Sequence, residues 1–252
     1  MATSCARFFR AVAFLALVAV SAIHASSVSA GNWTGYMNVF NNAAGTQGSY
    51  VFGSGWGVAD LKTTVSNSNS GTIVGDQLVL EPNYNAYTDS LTGNDADRAF
   101  WTDSTDGGVT PGPLGNKWMD ANTYEQTASI AVPSYTLSGN VTSNNLNTAI
   151  YTAKAFIKVL DPVNFATLLN DSVTLPASGP FIVTSNLSLY QGKLLQVGFS
   201  MNGLNANPVN AVSNGSVGVT ITSVPEPSTY ALLAFGGCAA AALRRRIRRA
   251  NA

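Results

Sequence analysis

Apolar residues fall into three regimes along this chain: an unbroken run near each end and a long alternating middle. In the middle the clearest segment is 150–160. Tyr151, Ala153, Ala155, Ile157 and Val159 face one way, while Thr152, Lys154, Phe156 and Lys158 face the other. A period of two with both lysines on one side is what a half-solvated strand requires, and Asp161-Pro162 ends it. Further strands are predicted at 49–52, 58–65, 77–81, 99–102, 118–126, 135–141, 166–175, 181–189, 194–201 and 216–223. Turn formers separate them, among them Ser70-Gly71, Asp106-Gly107-Gly108, Ser178-Gly179-Pro180, Asn202-Gly203 and Asn214-Gly215. No window carries a sustained helical stripe with caps. About ten strands in a body of 193 residues (31–223), without repeat or linker, predict one all-β domain. Its expected form is a two-sheet antiparallel sandwich, most simply a jelly roll.

The terminal runs have a different logic. Residues 1–10 carry Arg7 and Arg10, 11–23 are apolar, and the small polar stretch 24–30 follows. Positive, apolar, then small is the order of a secretory signal peptide, read by signal peptidase. Val28-Ser29-Ala30 places the cut after Ala30, with Ala25 as second choice. Thirteen apolar residues fall short of the roughly 20 that span a bilayer, which disfavours a retained anchor. At the other end, Val224-Pro225-Glu226-Pro227-Ser228 precedes an apolar run at 229–243 and the basic cluster Arg244, Arg245, Arg246, Arg248 and Arg249. The two prolines keep the junction extended. The run is about 22 Å long as a helix at ~1.5 Å per residue, so it spans a ~30 Å core with difficulty. The arginines act as a cytoplasmic stop. The expected organisation is therefore a signal peptide at 1–30, a β-sandwich at 31–223 and a membrane-engaging tail at 224–252.

Charge sharpens this picture. Only 10% of residues are charged, against about 25% in ordinary domains, so Asn, Ser, Thr and Gly must wet the surface. The formal net charge of zero hides a segregation: the body holds 12 acids and six bases. An acidic body argues against nucleic acid. His24, Cys5 and Cys238 all lie in the terminal segments. The body therefore has no Ser–His–Asp triad, Cys–His dyad, His-ligated zinc or structural disulfide.

The order of Pro225-Glu226-Pro227, short apolar span and terminal arginines resembles the bacterial PEP-CTERM sorting signal. The resemblance covers about 25 residues. It implies recognition and cleavage by an exosortase, a membrane-embedded cysteine transpeptidase of Gram-negative bacteria. The inner membrane would be a transient partner, and the body would pass to the outer surface or matrix. Cys238, inside the span, has no assigned role. In the body, Gly53-Ser-Gly-Trp-Gly57, Phe100-Trp101, Asn116-Lys-Trp-Met119, Ala155-Phe-Ile-Lys-Val-Leu-Asp-Pro162 and Gly203-Leu-Asn-Ala-Asn-Pro208 are similar to exported proteins with such tails. Their domains resemble the jelly rolls of carbohydrate-binding modules.

Candidate chemistry in the body is sparse. Tyr84, Tyr87, Trp101, Trp118 and Tyr124 lie among Asp, Asn and Glu, a mixture suited to stacking on sugar rings and satisfying their hydroxyls. The competing reading is that these rings pack inward as core. Asp95, Asp97 and Asp103, with Asp89 and Asp106 nearby, form the densest acidic run and the candidate ligands of a structural calcium. The spacing matches no EF-hand, and a solvated loop is the competing reading. Asp120 and Glu125 are the best-spaced carboxylates for glycoside hydrolysis, yet five positions along a strand put them on opposite faces. Gly53-Ser-Gly-Trp-Gly57 lacks the features of a phosphate loop. Chance explains the five Asn-x-Ser/Thr triplets, which start at Asn32, Asn140, Asn170, Asn186 and Asn214. The expected function is a non-enzymatic exported surface or matrix protein. A carbohydrate-binding module engaging polysaccharide is the alternative, and a secreted hydrolase is disfavoured.

Overall fold

The computed structural model describes residues 33–66 and 73–222. The signal cleavage point at Ala30, the Pro225-Glu226-Pro227 motif and the arginine cluster lie outside them. The described chain forms two antiparallel sheets. The six-stranded sheet runs β2 (Gln47–Trp56), β1 (Thr34–Asn42), β5 (Lys117–Thr127), β10 (Leu194–Leu204), β7 (Thr152–Leu160), β8 (Thr167–Thr174). The five-stranded sheet runs β3 (Thr63–Ser66), β4 (Gln77–Leu80), β11 (Val217–Thr222), β6 (Ser134–Asn144), β9 (Gly179–Asn186). From β4 onward the chain changes sheet at every step except the β7–β8 hairpin. This is the antiparallel sandwich that the alternation predicts.

The alternation also sets the core. Met37 and Val39 of β1, Met119 of β5, Ile157 of β7 and Val197 and Phe199 of β10 point inward from the larger sheet. Leu78, Leu80, Leu137, Phe181, Val219 and Ile221 meet them from the smaller one. Phe199, 0% exposed, joins the layers: Phe181 approaches it edge-on at 5.8 Å between centroids, and Trp33 stacks at 6.3 Å. The Trp33 indole N–H is satisfied by Asp76 at 2.8 Å. Gly139 makes room for Phe181. A Cβ there would stand 2.4 Å from the Thr220 carbonyl oxygen and 2.6 Å from Cζ of Phe181.

Three local expectations need correction. Residues 99–102 form no strand; 99–101 end the second of the helices α1 (Asn85–Thr92) and α2 (Asp95–Trp101), and Thr102 makes only an isolated bridge to Gly115. A reciprocal cap starts α2: the Asn94 side chain accepts from the Asp97 N–H at 3.0 Å, and Asp97 accepts from the Asn94 N–H at 3.4 Å. Only the end of 58–65 is strand, because Leu61 N–H returns to the Gly57 carbonyl at 3.0 Å and Lys62 adopts φ +64°. Asn202-Gly203 is no turn but lies within β10. The strand β1 went unpredicted, since Tyr36, Met37, Val39 and Phe40 set apolar side chains on both of its faces.

The helices form part of an insertion between β4 and β5 that Asn205 pins to the sandwich. Asn205 is wholly buried; its amide oxygen accepts from Lys117 N–H and its amide nitrogen donates to the Trp101 carbonyl, both at 2.8 Å.

Two outcomes follow from this packing. Phe199→Ala should cost about 3–5 kcal/mol in denaturant unfolding, the range for a large buried ring; a loss under about 1 kcal/mol would remove Phe199 from its place as the joint. The second concerns Tyr135, whose hydroxyl is pushed up to about 12 from 10.0 by burial and then by the neighbouring Glu125 carboxylate. The folded state holds this proton more tightly, so the contribution is whole below pH 10 and lost as pH climbs toward 12. Spectrophotometric titration of wild type against Tyr135→Phe should assign one phenolate to that upper window. Its appearance by pH 10 with the fold intact would contradict the burial.

Candidate functional site

Residues excluded from the core by the alternation collect on the outer face of the six-stranded sheet. On β5 these are Trp118, Asp120, Asn122 and Tyr124, because Met119, Ala121, Thr123 and Glu125 point inward. The register then builds rows across the sheet. Asn38 of β1, Asp120 of β5, Asn202 of β10 and Thr152 of β7 stand side by side. The next row is Tyr36, Asn122, Ser200, Lys154 and Thr174, and the one after it runs Tyr124, Gly198, Phe156 and Ser172. Gly198 belongs there because a Cβ would stand 2.1 Å from the Thr123 carbonyl oxygen.

These rows enclose a cleft of about 290 Å³. Gln47 of β2 and Asn170 and Ser172 of β8 line the same cavity, so both edge strands contribute and the sheet curls around it. Its polar groups are held in place. Trp118 donates its indole N–H to Asn202 at 2.6 Å, and Asn122 donates to the Asp120 carbonyl at 3.0 Å. Asn38 donates to the Asp120 carboxylate and Lys158 to the Asn122 amide oxygen, each at 3.4 Å. Burial lowers the affinity of Lys158 for its proton, and Asp120 partly restores it. Burial raises the Tyr124 pKa, Tyr36 adds to this, and a hydrogen bond with Gln196 opposes it.

The five rings proposed as a sugar platform do not form one surface. Trp118, half-buried, and Tyr124, 7% exposed, project from the cleft side of β5, and neither is among the residues lining the cavity. Tyr84 and Tyr87 are 5% and 4% exposed and belong to the insertion. The Tyr87 hydroxyl donates to the Gly112 carbonyl at 2.6 Å and accepts from Asn207 at 2.9 Å, which makes it a brace. Trp101 ends α2 and packs edge-on against Phe100, Phe52 and Trp56. For these three the inward reading prevails, because the two helices of the insertion turn the rings onto the sandwich.

Nor are the candidate calcium ligands brought together. Asp95 pairs with Arg98 on α2, and Asp97 completes the helix cap. Asp103 accepts from Leu114 N–H at 2.7 Å. Asp106 is spent on a turn, where hydrogen bonds from Thr110 and Ser104 hold its carboxyl down at about 2. Among the described residues no three His, Cys, Asp or Glu side chains group as metal ligands would. Asp120 and Glu125 lie on opposite faces of β5, with Glu125 2% exposed inside the core.

Sequence reasoning missed Asn122, Asn170, Ser200 and Asn202 as lining residues. Asn and Ser are so common in this chain that neither type stands out. Lys154 and Lys158 did have a signal, their shared side of the 150–160 alternation.

A solved structure of carbohydrate-binding modules from the β-sandwich superfamily, described for their promiscuous specificity, is similar over 77% of this chain and 75% of that one. The identity is 12% and the TM-score 0.29. No curated protein matches the chain significantly. Residues 223–249, which contain Pro225-Glu226-Pro227 and the arginine cluster, match the PEP-CTERM protein-sorting motif. The chain thus carries a PEP-CTERM sorting signal behind a β-sandwich body, the mark of a protein exported and sorted at a membrane.

Proposed function

We propose that this is a glycan-binding, non-enzymatic protein, delivered to the outer surface or matrix by exosortase cleavage at its tail. The supporting observation is the cleft on the outer face of the six-stranded sheet. Sugars present hydroxyls at the rim and apolar C–H faces, so a site for them needs fixed amides and hydroxyls beside aromatic surface. Asn122, Asn202, Ser172 and Ser200 supply the first, and the half-buried Trp118, tied to Asn202 at the edge of the cleft, the second. Hydrogen bonds among Trp118, Asn202, Asn122 and Lys158 hold these groups before any ligand arrives, which reduces the ordering cost of binding. The reading as a binder rather than a hydrolase draws on Asp120, the one carboxylate among the lining residues. Glycoside hydrolysis generally uses two.

The tail supplies delivery. In this reading the Pro225-Glu226-Pro227 junction is presented at the outer membrane boundary while the arginines hold the end in the cytoplasm. A mid-span Leu favours insertion by only ~0.6 kcal/mol, and Ala and Gly contribute less, so the run is a temporary hold.

A glycan array probed with the exported protein should give carbohydrate hits, and Asn202→Ala should weaken them about tenfold, the worth of one net hydrogen bond to an oriented group. An array with no hit at millimolar glycan would end the binding proposal. For the tail, replacing Pro225, Glu226 and Pro227 with Ala should leave uncut protein in the inner membrane. Replacing the five arginines with Gln should release unprocessed protein. Export of the triple-Ala protein at wild-type size would refute exosortase sorting.

A further inference from the structure

We propose that the cleft selects anionic glycans, whose carboxylate or sulfate oxygens are held by Lys154 and Lys158. The inference rests on the glycan-binding reading and goes on to name the ligand class. It starts from where the six cations of the acidic body are placed. Arg98 is paired with Asp95 and Lys193 with Asp161. Lys117 is turned inward, its ammonium 4.3 Å from the Phe100 ring centre and 3.2 Å from the Asn41 amide oxygen. Lys62 lies 5.9 Å from the centre of the Tyr84 ring. Lys154 and Lys158 are the two that line the cleft, and neither forms an ion pair among the described residues.

Against them the cleft has one acid, Asp120, so its charge is positive in a body whose charge is negative. Asp120 is itself engaged by Asn38. Lys158 touches neutral groups, the Asn122 amide oxygen and the Phe156 ring, whose centre is 4.8 Å from its Nζ, and the Asp120 carboxylate only partly offsets its burial. A half-buried ammonium loses hydration that neutral partners do not fully replace, and its lowered proton affinity reports that loss. An arriving anion supplies the missing counter-charge in a partly desolvated site, where charge pairing counts for more than at an open surface.

Spacing adds a second constraint. Lys154 and Lys158 are four positions apart on one face of β7, about 13 Å at ~3.3 Å per residue. The gap is wider than one sugar ring bridges. Between and beside them lie Phe156, Ser172 and Asn170, a ring and two neutral hydrogen-bonding groups. The pattern of cation, neutral polar centre, cation fits a chain that carries an acidic group on more than one unit. A single acidic sugar engages one lysine at a time.

The test measures binding of the full-length protein to an oligogalacturonate, to the same oligomer with its carboxyls reduced to alcohols, and to a neutral galactan with and without sulfate esters. Carboxyl reduction, or absence of the sulfate, should weaken binding at least tenfold. The charged ligands should lose affinity between 50 and 500 mM salt while the neutral ones do not. The sulfate arm tells whether any anionic oxygen suffices or a carboxylate is required. Lys154→Gln/Lys158→Gln should bring charged and neutral ligands to equal affinity with an unchanged unfolding midpoint. The ligand comparison on wild type stands even where that variant folds poorly. Equal affinity of wild type for charged and neutral forms would overturn the anionic preference and leave glycan binding standing. Binding to none of the four would overturn both.

Discussion

Contact between the two sheets at Phe199 is the constraint on which the remaining structure depends. The body contains no cysteine, so no disulfide joins the layers. What holds them is apolar burial, centred where Phe181 and Trp33 close on a ring with no exposed surface. Because strands alternate strictly, fixing Phe199, Val197 and Met201 inward forces Gly198, Ser200 and Asn202 outward. The cleft is thus the complement of the core: a one-residue slip of β10 would bury its amides and expose its rings.

Strand positions and faces were legible where only one face is apolar. The segment 150–160 shows this best, since its lysines mark the solvated side that became the cleft wall. Legibility failed where both faces are apolar, as in β1, whose Tyr36 and Phe40 look toward the cleft face while Met37 and Val39 enter the core. It failed again at 85–101, where short helices carry too few turns for a periodic stripe and are set by the Asn94–Asp97 cap and by tertiary anchors such as Asn205. The misplaced aromatic platform follows from that second failure. Tyr84, Tyr87 and Trp101 are near Trp118 in sequence, but the insertion carries them onto the sandwich rather than along its face. Proximity in sequence is a poor guide to a binding face in a fold whose neighbouring strands are remote in sequence; Asp120 meets Asn202, 82 positions on.

Low charge makes the remaining charges informative. A surface wetted by Asn, Ser and Thr contributes little long-range field, so each ion is felt over a Debye length of about 8 Å without much competition. In this setting Arg98 and Lys193 are neutralised locally by single partners. On the cleft face the two lysines of β7 stand against one lining carboxylate, Asp120.

The topology also puts the last described residue and the cleft on different layers. The described chain ends at Thr222 on β11, in the middle of the five-stranded sheet, whereas the cleft opens on the outer side of the six-stranded one. Two packed sheets stand about 10 Å apart, so the thickness of the sandwich lies between the last described residue and the cleft face. The two features share no residue: the sorting motif occupies residues 223–249, and the side chains lining the cleft all come from β2, β5, β7, β8 and β10.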